Sequence, residues 1–207
     1  MALNREALRL YLVTDPVLCA QFGVVETVEQ AVRGGVTCVQ LRDKTAGTKE
    51  LIALGKAILS ALKGTGVPLL INDDVEAAKE LNAHGLHVGQ SDADVAHARA
   101  VLGPQAIIGL SCETAQHIHA LDESVVDYLG IGTVFATQTK SNHSVPMGLN
   151  GLADLCALTS LPKVAIGGLK VEHQNAVLEA GADGLAVVSA ICGQPDPRAA
   201  ARAFFQT

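Results

Sequence analysis

The segment GGVTCVQLRDK, residues 34–44, joins a short apolar run to a group of polar side chains. Its apolar part, Val36–Leu41, has the length and the branched aliphatic content of a strand buried on both faces. Gln40, Arg42 and Lys44 stand at the carboxyl end of that run. Parallel β/α barrels build their active sites at the carboxyl ends of their strands. The segment therefore predicts a strand and one part of a site together.

The same pattern recurs along the whole chain. Further apolar runs occupy Leu10–Val13, Leu69–Ile71, Leu86–Val88, Ile107–Leu110, Val126–Phe135, Val164–Ile166 and Leu185–Val188. Helical spacing follows them at Val24–Arg33, Lys49–Leu62, Val75–Asn82, Val95–Leu102, Ala115–Leu121, Gly151–Leu158, Val171–Ala180 and Pro197–Phe205. Eight such units predict an α/β fold, a single (β/α)8 TIM barrel formed by residues 1–207. The alternative is a doubly wound open sheet, but no GxGxxG motif follows the first run.

Composition limits the class of protein. Hydrophobic residues make up 49% of the chain and aromatic residues only 3%, so aliphatic side chains must fill the core. The net charge of −6 argues against nonspecific nucleic-acid binding. It still permits anionic small molecules, since a few cations and a metal can reverse the field locally. The sequence leaves open whether the chain forms a homo-oligomer.

Cysteine usage and hydropathy indicate the compartment. The five cysteines are far apart and include no CxxC pair, so they predict buried free thiols in a reducing environment. The first residues lack the apolar core of a signal peptide, and no apolar stretch is long enough to span a membrane. We therefore expect a cytoplasmic protein without a membrane partner.

Two aspartates suggest a metal site. Asp73 and Asp92 follow consecutive strands, and neighbouring strands lie about 5 Å apart, so both carboxylates could bind one cation. Hard oxygen ligands beside a phosphate favour Mg²⁺. Each aspartate could instead cap a helix, although Asp74 and Asp94 are better placed as caps.

Phosphate-binding features occur near the end of the chain. Gly167 and Gly168 follow the seventh strand and Ser189 follows the eighth, which is the usual phosphate position of these barrels. The polar stretch from Ala136 to Leu149 contains Thr137, Gln138, Thr139 and Lys140, and it predicts an active-site loop.

The histidines form no ligand set: His117 and His119 are expected on the surface, and His87 is expected to be a hydrogen-bonded structural residue.

Seven segments, taken in order, resemble the thiamine phosphate synthase (thiamine-phosphate pyrophosphorylase) family. They are YLVTD (11–15), GGVTCVQLRDK (34–44), INDD (71–74), GLHVGQSD (85–92), GIGTVFATQTK (130–140), VAIGGL (164–169) and GADGLAVVSAI (181–191). Each segment alone is a weak signal, but the ordered set covers nearly the whole chain.

The resemblance implies an activity and a set of site residues. Enzymes of this family join 4-amino-2-methyl-5-(diphosphooxymethyl)pyrimidine to 4-methyl-5-(2-phosphoethyl)thiazole, or its carboxylated form, and release pyrophosphate through a pyrimidine carbocation. The implied pyrimidine diphosphate site contains Gln40, Leu41, Arg42, Asp43, Lys44, Asn72, Ser111 and Lys140. The implied thiazole phosphate site contains Thr137, Gln138, Thr139, Gly168, Val188 and Ser189. Mg²⁺ is implied at Asp73 and Asp92, with Arg42, Lys140 and Ser111 as catalytic residues.

Three other functions remain alternatives. A related thiazole tautomerase would use a histidine near the end of strand 5, but none occurs there before His117. A barrel aldolase would use a Schiff-base lysine, and Lys140 lies well beyond its strand. A non-catalytic phosphate-binding barrel would need neither a metal nor a second anion site.

Overall fold

Eight parallel strands close into a barrel in the computed structural model, which describes residues 3–137 and 145–206. The strands are β1 (Leu10–Val13), β2 (Cys38–Leu41), β3 (Leu69–Asn72), β4 (Gly85–Val88), β5 (Ile107–Cys112), β6 (Tyr128–Ile131), β7 (Lys163–Ile166) and β8 (Gly184–Val187). The helices are α1 (Val24–Gly34), α2 (Thr48–Ala61), α3 (Val75–Leu81), α4 (Val95–Leu102), α5 (Ala115–His119), α6 (Gly148–Cys156), α7 (Gln174–Glu179) and α8 (Pro197–Ala203). Short 3₁₀ helices occupy Arg5–Leu8 and Val171–His173.

The register of β1 closes the barrel. Leu12 pairs with Val39 of β2 on one side and with Val187 of β8 on the other. An open doubly wound sheet would leave β1 or another strand with an unpaired edge, so the (β/α)8 prediction is confirmed and the alternative fold is excluded.

Strand parity separates an inner core from an outer one. Successive side chains of a strand point to opposite faces. Leu10 and Leu12 pack in the layer between strands and helices, whereas Tyr11 and Val13 pack inside the barrel together with Tyr128. The same alternation sends Gln40 inward and its neighbour Leu41 into the outer layer.

Side-chain caps fix the helix starts beside the barrel mouth. Asp74 accepts a hydrogen bond from the Ala77 amide and caps α3, and Asp94 caps α4 by accepting from Ala96 and His97. Such caps contribute about 1 kcal/mol each. Because these two aspartates act as caps, Asp73 and Asp92 are left for other roles, as the sequence suggested.

Several element boundaries differ from the sequence-based expectation, and three of the differences bear on the site or the core. The sixth strand ends at Ile131 rather than at Phe135, although Val134 remains fully buried. Apolar composition continues past the strand because the departing chain still packs against the core. The fifth strand runs on to Cys112 and so includes Ser111. The seventh helical segment divides into the 3₁₀ turn and α7.

Within the described ranges, no helix is long and apolar enough to cross a bilayer.

Candidate active site

A cavity of 570 Å³ lies at the carboxyl ends of the strands. Its walls include these predicted site residues: Gln40, Arg42, Lys44, Asn72, Asp73, Asp92, Ser111, Thr137, Gly168, Val188 and Ser189. Residues that are distant in sequence thus share one cavity, because every strand of a parallel barrel ends at the same face.

Arg42 and Lys44, the two cationic residues after β2, are positioned by hydrogen bonds to neighbouring residues. The backbone N–H of Arg42 donates to Oγ1 of the buried Thr14, and that hydroxyl donates back to the Arg42 carbonyl. This reciprocal pair fixes the strand end from which the guanidinium extends. Lys44 Nζ donates to Asp73 Oδ2 at 2.6 Å.

Two carboxylates on the strand 3–4 side have the chemistry for a cation. Asp73 adopts a left-handed backbone conformation, φ 63°, and its Oδ2 also accepts from Asn72 Nδ2 at 2.5 Å. Asp92 Oδ2 accepts from the Gly89 N–H at 2.9 Å. In residues 3–137 and 145–206, no group of three or more His, Cys, Asp or Glu side chains could hold a metal. A cation here would therefore need further ligands from a substrate or from water, which is how Mg²⁺ is commonly bound beside phosphates.

A largely buried chain of hydrogen bonds crosses the barrel at the floor of the cavity, which Gln40, Tyr11, His87 and Ser111 line. Gln40 Nε2 donates to Tyr11 Oη at 2.8 Å, and Tyr11 Oη lies 2.8 Å from Tyr128 Oη. Tyr128 Oη lies 2.8 Å from His87 Nδ1, and His87 Nε2 lies 2.9 Å from Ser111 Oγ. Burial raises the pKa of both phenols well above its ordinary value, so both keep their protons at neutral pH. The chain thus links Gln40 to Ser111, two residues of the predicted site.

Glycine backbone shapes the strand 7–8 side. Gly167 and Gly168 have φ angles of 107° and 63°, which favour glycine. A Cβ on Gly168 would lie 2.6 Å from the Ala136 carbonyl oxygen, so the turn has no room for a side chain. Ser189 follows β8 at the same rim and is exposed. Bare backbone N–H groups in such a turn can approach an anion closely.

Several predicted residues lie elsewhere. The Leu41 side chain is buried in the outer core rather than in the cavity wall. Asp43 is not part of the cavity wall either. Its Oδ1 accepts hydrogen bonds from the Thr45 and Ala46 amides and stabilises the loop after β2. Gln138, Thr139 and Lys140 lie outside the described residues.

The sequence reading missed part of the site. His87 was expected to be a hydrogen-bonded structural residue, which is confirmed, but its link to Ser111 was not foreseen. His117 was expected on the surface; it is partly exposed, but it also lines the cavity, which was not foreseen, and its Nδ1 accepts from the Glu113 amide. Tyr11 and Tyr128 are the chain's two tyrosines, and both stand in apolar runs, which was the available signal.

Comparison with known proteins identifies the family. Residues 10–191 match the family model described as thiamine monophosphate synthase. The thiamine-phosphate synthase of Azorhizobium caulinodans is 50% identical over 195 residues, which cover 94% of this chain and 92% of that protein. The thiamine-phosphate synthase of Albidiferax ferrireducens is 47% identical, with 95% of this chain and 90% of that protein covered.

A solved structure has the same fold. The thiamine phosphate pyrophosphorylase from Pyrococcus furiosus matches with a TM-score of 0.87 at 33% identity, covering 98% of this chain and 96% of that one. The family model, the sequence relatives and the solved barrel all extend over most of the chain. The chain therefore belongs to the thiamine monophosphate synthase family.

Proposed function

We propose that this protein is a thiamine-phosphate synthase, a transferase that couples a pyrimidine methyl diphosphate to a thiazole phosphate and releases pyrophosphate. One observation carries the proposal: residues suited to binding anions line one cavity from two separate sets of strands. Arg42 and Lys44 follow β2, whereas the Gly168 turn follows β7 and Ser189 follows β8. A reaction that joins two phosphorylated molecules needs such an arrangement.

The diphosphate belongs at the end formed by β2, β3 and β4. Arg42 offers a planar fork of N–H donors for phosphate oxygens, and Lys44 offers a point charge. Asn72 adds an amide donor at the end of β3. Gln40 and Ser111 lie deeper, at the two ends of the buried hydrogen-bonded chain, where they can contact the pyrimidine ring.

Magnesium is part of the same proposal. Asp73 and Asp92 line the cavity beside the cations and do not cap α3 or α4, so their carboxylates are available as hard ligands. Bound there, Mg²⁺ would supply Lewis acidity to the diphosphate and complete its coordination with phosphate oxygens. Asp73 would then exchange its present partner Lys44 for the ion.

The reaction needs electrostatic help more than a base or a nucleophile. An aminopyrimidine pushes electron density towards its exocyclic methylene, so pyrophosphate can leave first and the thiazole nitrogen captures the resulting cation. The guanidinium of Arg42 stabilises charge that grows on the departing oxygen. The enclosed barrel mouth holds the nitrogen near the carbon and keeps water away. Lys140 is proposed to assist the same departure.

The thiazole phosphate belongs at the end formed by β7 and β8. Gly168 can offer its backbone N–H without a blocking side chain, Ser189 adds a backbone N–H and a hydroxyl, and Val188 lines the cavity beside them. Thr137 lines the cavity from the loop after β6. This division leaves the two reacting groups in the middle of the cavity.

A tautomerase acting on the thiazole alone is the second candidate, because His117 lines the cavity close to Glu113 at the end of β5. It would need no diphosphate and no metal. The cations and carboxylates on the β2–β4 side are unexplained by that activity, and they favour the synthase.

The deciding experiment measures pyrophosphate release with both substrates and Mg²⁺. Controls omit the thiazole phosphate, omit the pyrimidine diphosphate, or add excess chelator. We expect pyrophosphate and thiamine phosphate in equal amounts only in the complete mixture. Turnover of the thiazole without pyrophosphate release would support the tautomerase instead.

A cytoplasmic location belongs to the proposal as well. All five cysteines are buried free thiols, as expected of a protein that works in a reducing compartment.

A further inference from the structure

We propose that the buried chain from Gln40 to Ser111 fixes the proton of His87 on Nε2 and thereby makes the Ser111 hydroxyl a donor to the ligand. Tyr11, Tyr128 and His87 are then positioning residues. None of them needs to touch the reacting atoms. The identity of the ligand rests on the proposed function, whereas the position of the proton does not.

The order of donors starts at Gln40. Its amide Nε2 carries hydrogens and no acceptor lone pair, so it can only donate to Tyr11 Oη, 2.8 Å away. A phenol has one hydrogen. In the described part of the chain, the other partner of Tyr11 Oη is Tyr128 Oη at 2.8 Å. Both rings are fully buried, so a phenolic hydrogen without an acceptor would be costly, and the Tyr11 hydrogen goes to Tyr128.

The next hydrogen bond in the chain joins Tyr128 to the imidazole of His87. The oxygen of Tyr128 receives a hydrogen from Tyr11, so its own hydrogen is directed at His87 Nδ1, 2.8 Å away. An accepting Nδ1 carries no proton. In a neutral imidazole the single proton must then be on Nε2, which faces Ser111 Oγ at 2.9 Å.

The proton on His87 Nε2 decides whether the Ser111 hydroxyl donates or accepts. Its oxygen receives the Nε2 proton, so its own hydrogen is not used by His87. Ser111 stands on β5 and lines the cavity, where that hydrogen can be donated to a ligand. Gln40, at the opposite end, keeps a carbonyl oxygen as an acceptor. An aminopyrimidine has ring nitrogens that accept and an amino group that donates, so it complements these two ends.

The closed barrel keeps the five hydrogen-bonded residues at fixed distances from one another. Gln40, Tyr11, Tyr128, His87 and Ser111 lie on β2, β1, β6, β4 and β5, respectively. Five strands of a closed barrel cannot slide independently, so the distances persist. Because the phenols stay protonated, each link has one donor and one acceptor. The opposite order would turn the Ser111 hydrogen towards His87 and leave a ring nitrogen of the ligand without a donor.

The direct test is the tautomer of His87 in the free enzyme. Long-range ¹H–¹⁵N correlation spectra of ¹⁵N-histidine-labelled protein distinguish the protonated nitrogen, and His87→Gln identifies the signal. We expect the proton on Nε2 in the wild type. Tyr128→Phe removes the donor to Nδ1 and keeps the ring packing, so the signal should shift towards the other tautomer or a mixture. A wild-type proton on Nδ1 would overturn the proposal.

Binding provides the second test. Tyr128→Phe should weaken the pyrimidine diphosphate by about tenfold, the cost of one unmade hydrogen bond, and leave thiazole phosphate affinity unchanged. Glutamine at position 87 can place an N–H near the Nε2 position, so His87→Gln should stay within about threefold of the wild type. His87→Met has a similar length without the donor and should lose about tenfold.

A matched control separates positioning from stability. Thr27 is fully buried and its hydroxyl donates to the Gly23 carbonyl at the start of α1. Thr27→Val also removes a buried hydroxyl, so it should cost stability without changing the His87 tautomer or pyrimidine affinity. Equal losses for Thr27→Val and Tyr128→Phe, or for His87→Gln and His87→Met, would overturn the positioning role. A wild-type enzyme that released no pyrophosphate would refute the proposed function, while the tautomer would still decide the proton order.

Discussion

Lys44 Nζ lies 2.6 Å from Asp73 Oδ2, and the same oxygen accepts from Asn72 at 2.5 Å. A carboxylate oxygen with two donors is the atom that we propose as a metal ligand. Lys44 is more than half exposed, so this ion pair is weak and exchangeable. On the proposed function, the lysine would hold Asp73 in place in the free enzyme and would be available to the phosphate once Mg²⁺ is bound.

The first prediction follows from this exchange. In Lys44→Ala, Asp73 loses a competing cation, so Mg²⁺ should bind slightly more tightly, by up to about fivefold for an exposed pair. The pyrimidine diphosphate should bind more weakly because one positive charge is gone. Calorimetric titration of each ligand measures both effects. Parallel weakening of metal and diphosphate would contradict the exchange.

The second prediction contrasts neighbouring aspartates. Asp92→Ala should abolish most of the Mg²⁺-dependent activity with little loss of stability, because Asp92 caps no helix. Asp94→Ala should keep activity but lower the free energy of unfolding by about 1 kcal/mol, because Asp94 caps α4. Initial rates across a Mg²⁺ series and urea denaturation measure the two effects. Full activity of the wild type in excess chelator would remove the metal from the proposal.

Sequence alone predicted most of the site residues that follow the strand ends, but it did not predict the buried hydrogen-bonded chain from Gln40 to Ser111. Arg42, Asp73 and Ser189 stand just after apolar runs. Because the carboxyl ends of all strands of a parallel barrel lie at one face, this pattern predicts that the three residues lie close together. The hydrogen-bonded chain depends on the register of β1 against β2 and of β5 against β6. Register comes from tertiary packing, which short apolar strands do not reveal.

Helix position explains why the sequence did not place His117 beside the cavity. His117 and His119 share no face of the predicted helix Ala115–Leu121, so they could not form a ligand set, and both were expected on the surface. In the barrel, α5 begins immediately after β5, so its first turn borders the cavity. His119 is indeed exposed, whereas His117 is turned towards the Glu113 amide.

The third prediction tests whether the two anion sites are separate. Ser189→Asp places a negative charge at the proposed thiazole phosphate, so affinity for that ligand should fall by like-charge repulsion. Affinity for the pyrimidine diphosphate should stay nearly unchanged. Ser189→Ala keeps the backbone N–H and should have a much smaller effect. Equal losses for both ligands in separate titrations of Ser189→Asp would show that the sites are not divided as proposed.

The fourth prediction compares two glycines with positive φ. Gly64 has a φ of 81° and open space where a Cβ would stand, so Gly64→Ala should cost about 1 kcal/mol of stability from the backbone conformation alone. Gly168→Ala adds a 2.6 Å approach to the Ala136 carbonyl and should cost more. It should also weaken thiazole phosphate binding, which Gly64→Ala should not do. Denaturation and ligand titration of both variants check this, and equal behaviour would remove Gly168 from the site.

The last prediction concerns Arg42, whose strand end is fixed by Thr14. If the guanidinium stabilises the leaving pyrophosphate, it acts mainly on charge that builds as the C–O bond breaks. Arg42→Ala should then slow the chemical step by about a hundredfold, on the order of 3 kcal/mol, and weaken ground-state binding less. Arg42→Lys should recover only part of this rate, because lysine keeps the charge but loses the fork.

Single-turnover kinetics with saturating substrates separates these effects for Arg42, since binding no longer limits the observed rate. Thr14→Val provides the matched variant: it keeps the guanidinium and removes the hydroxyl that anchors the strand end, so it should show a smaller loss in the same step. An unchanged single-turnover rate in Arg42→Ala, with only a weaker diphosphate affinity, would make Arg42 a binding residue. The catalytic stabilisation would then have to come from the metal bound at Asp73 and Asp92 and from Lys140.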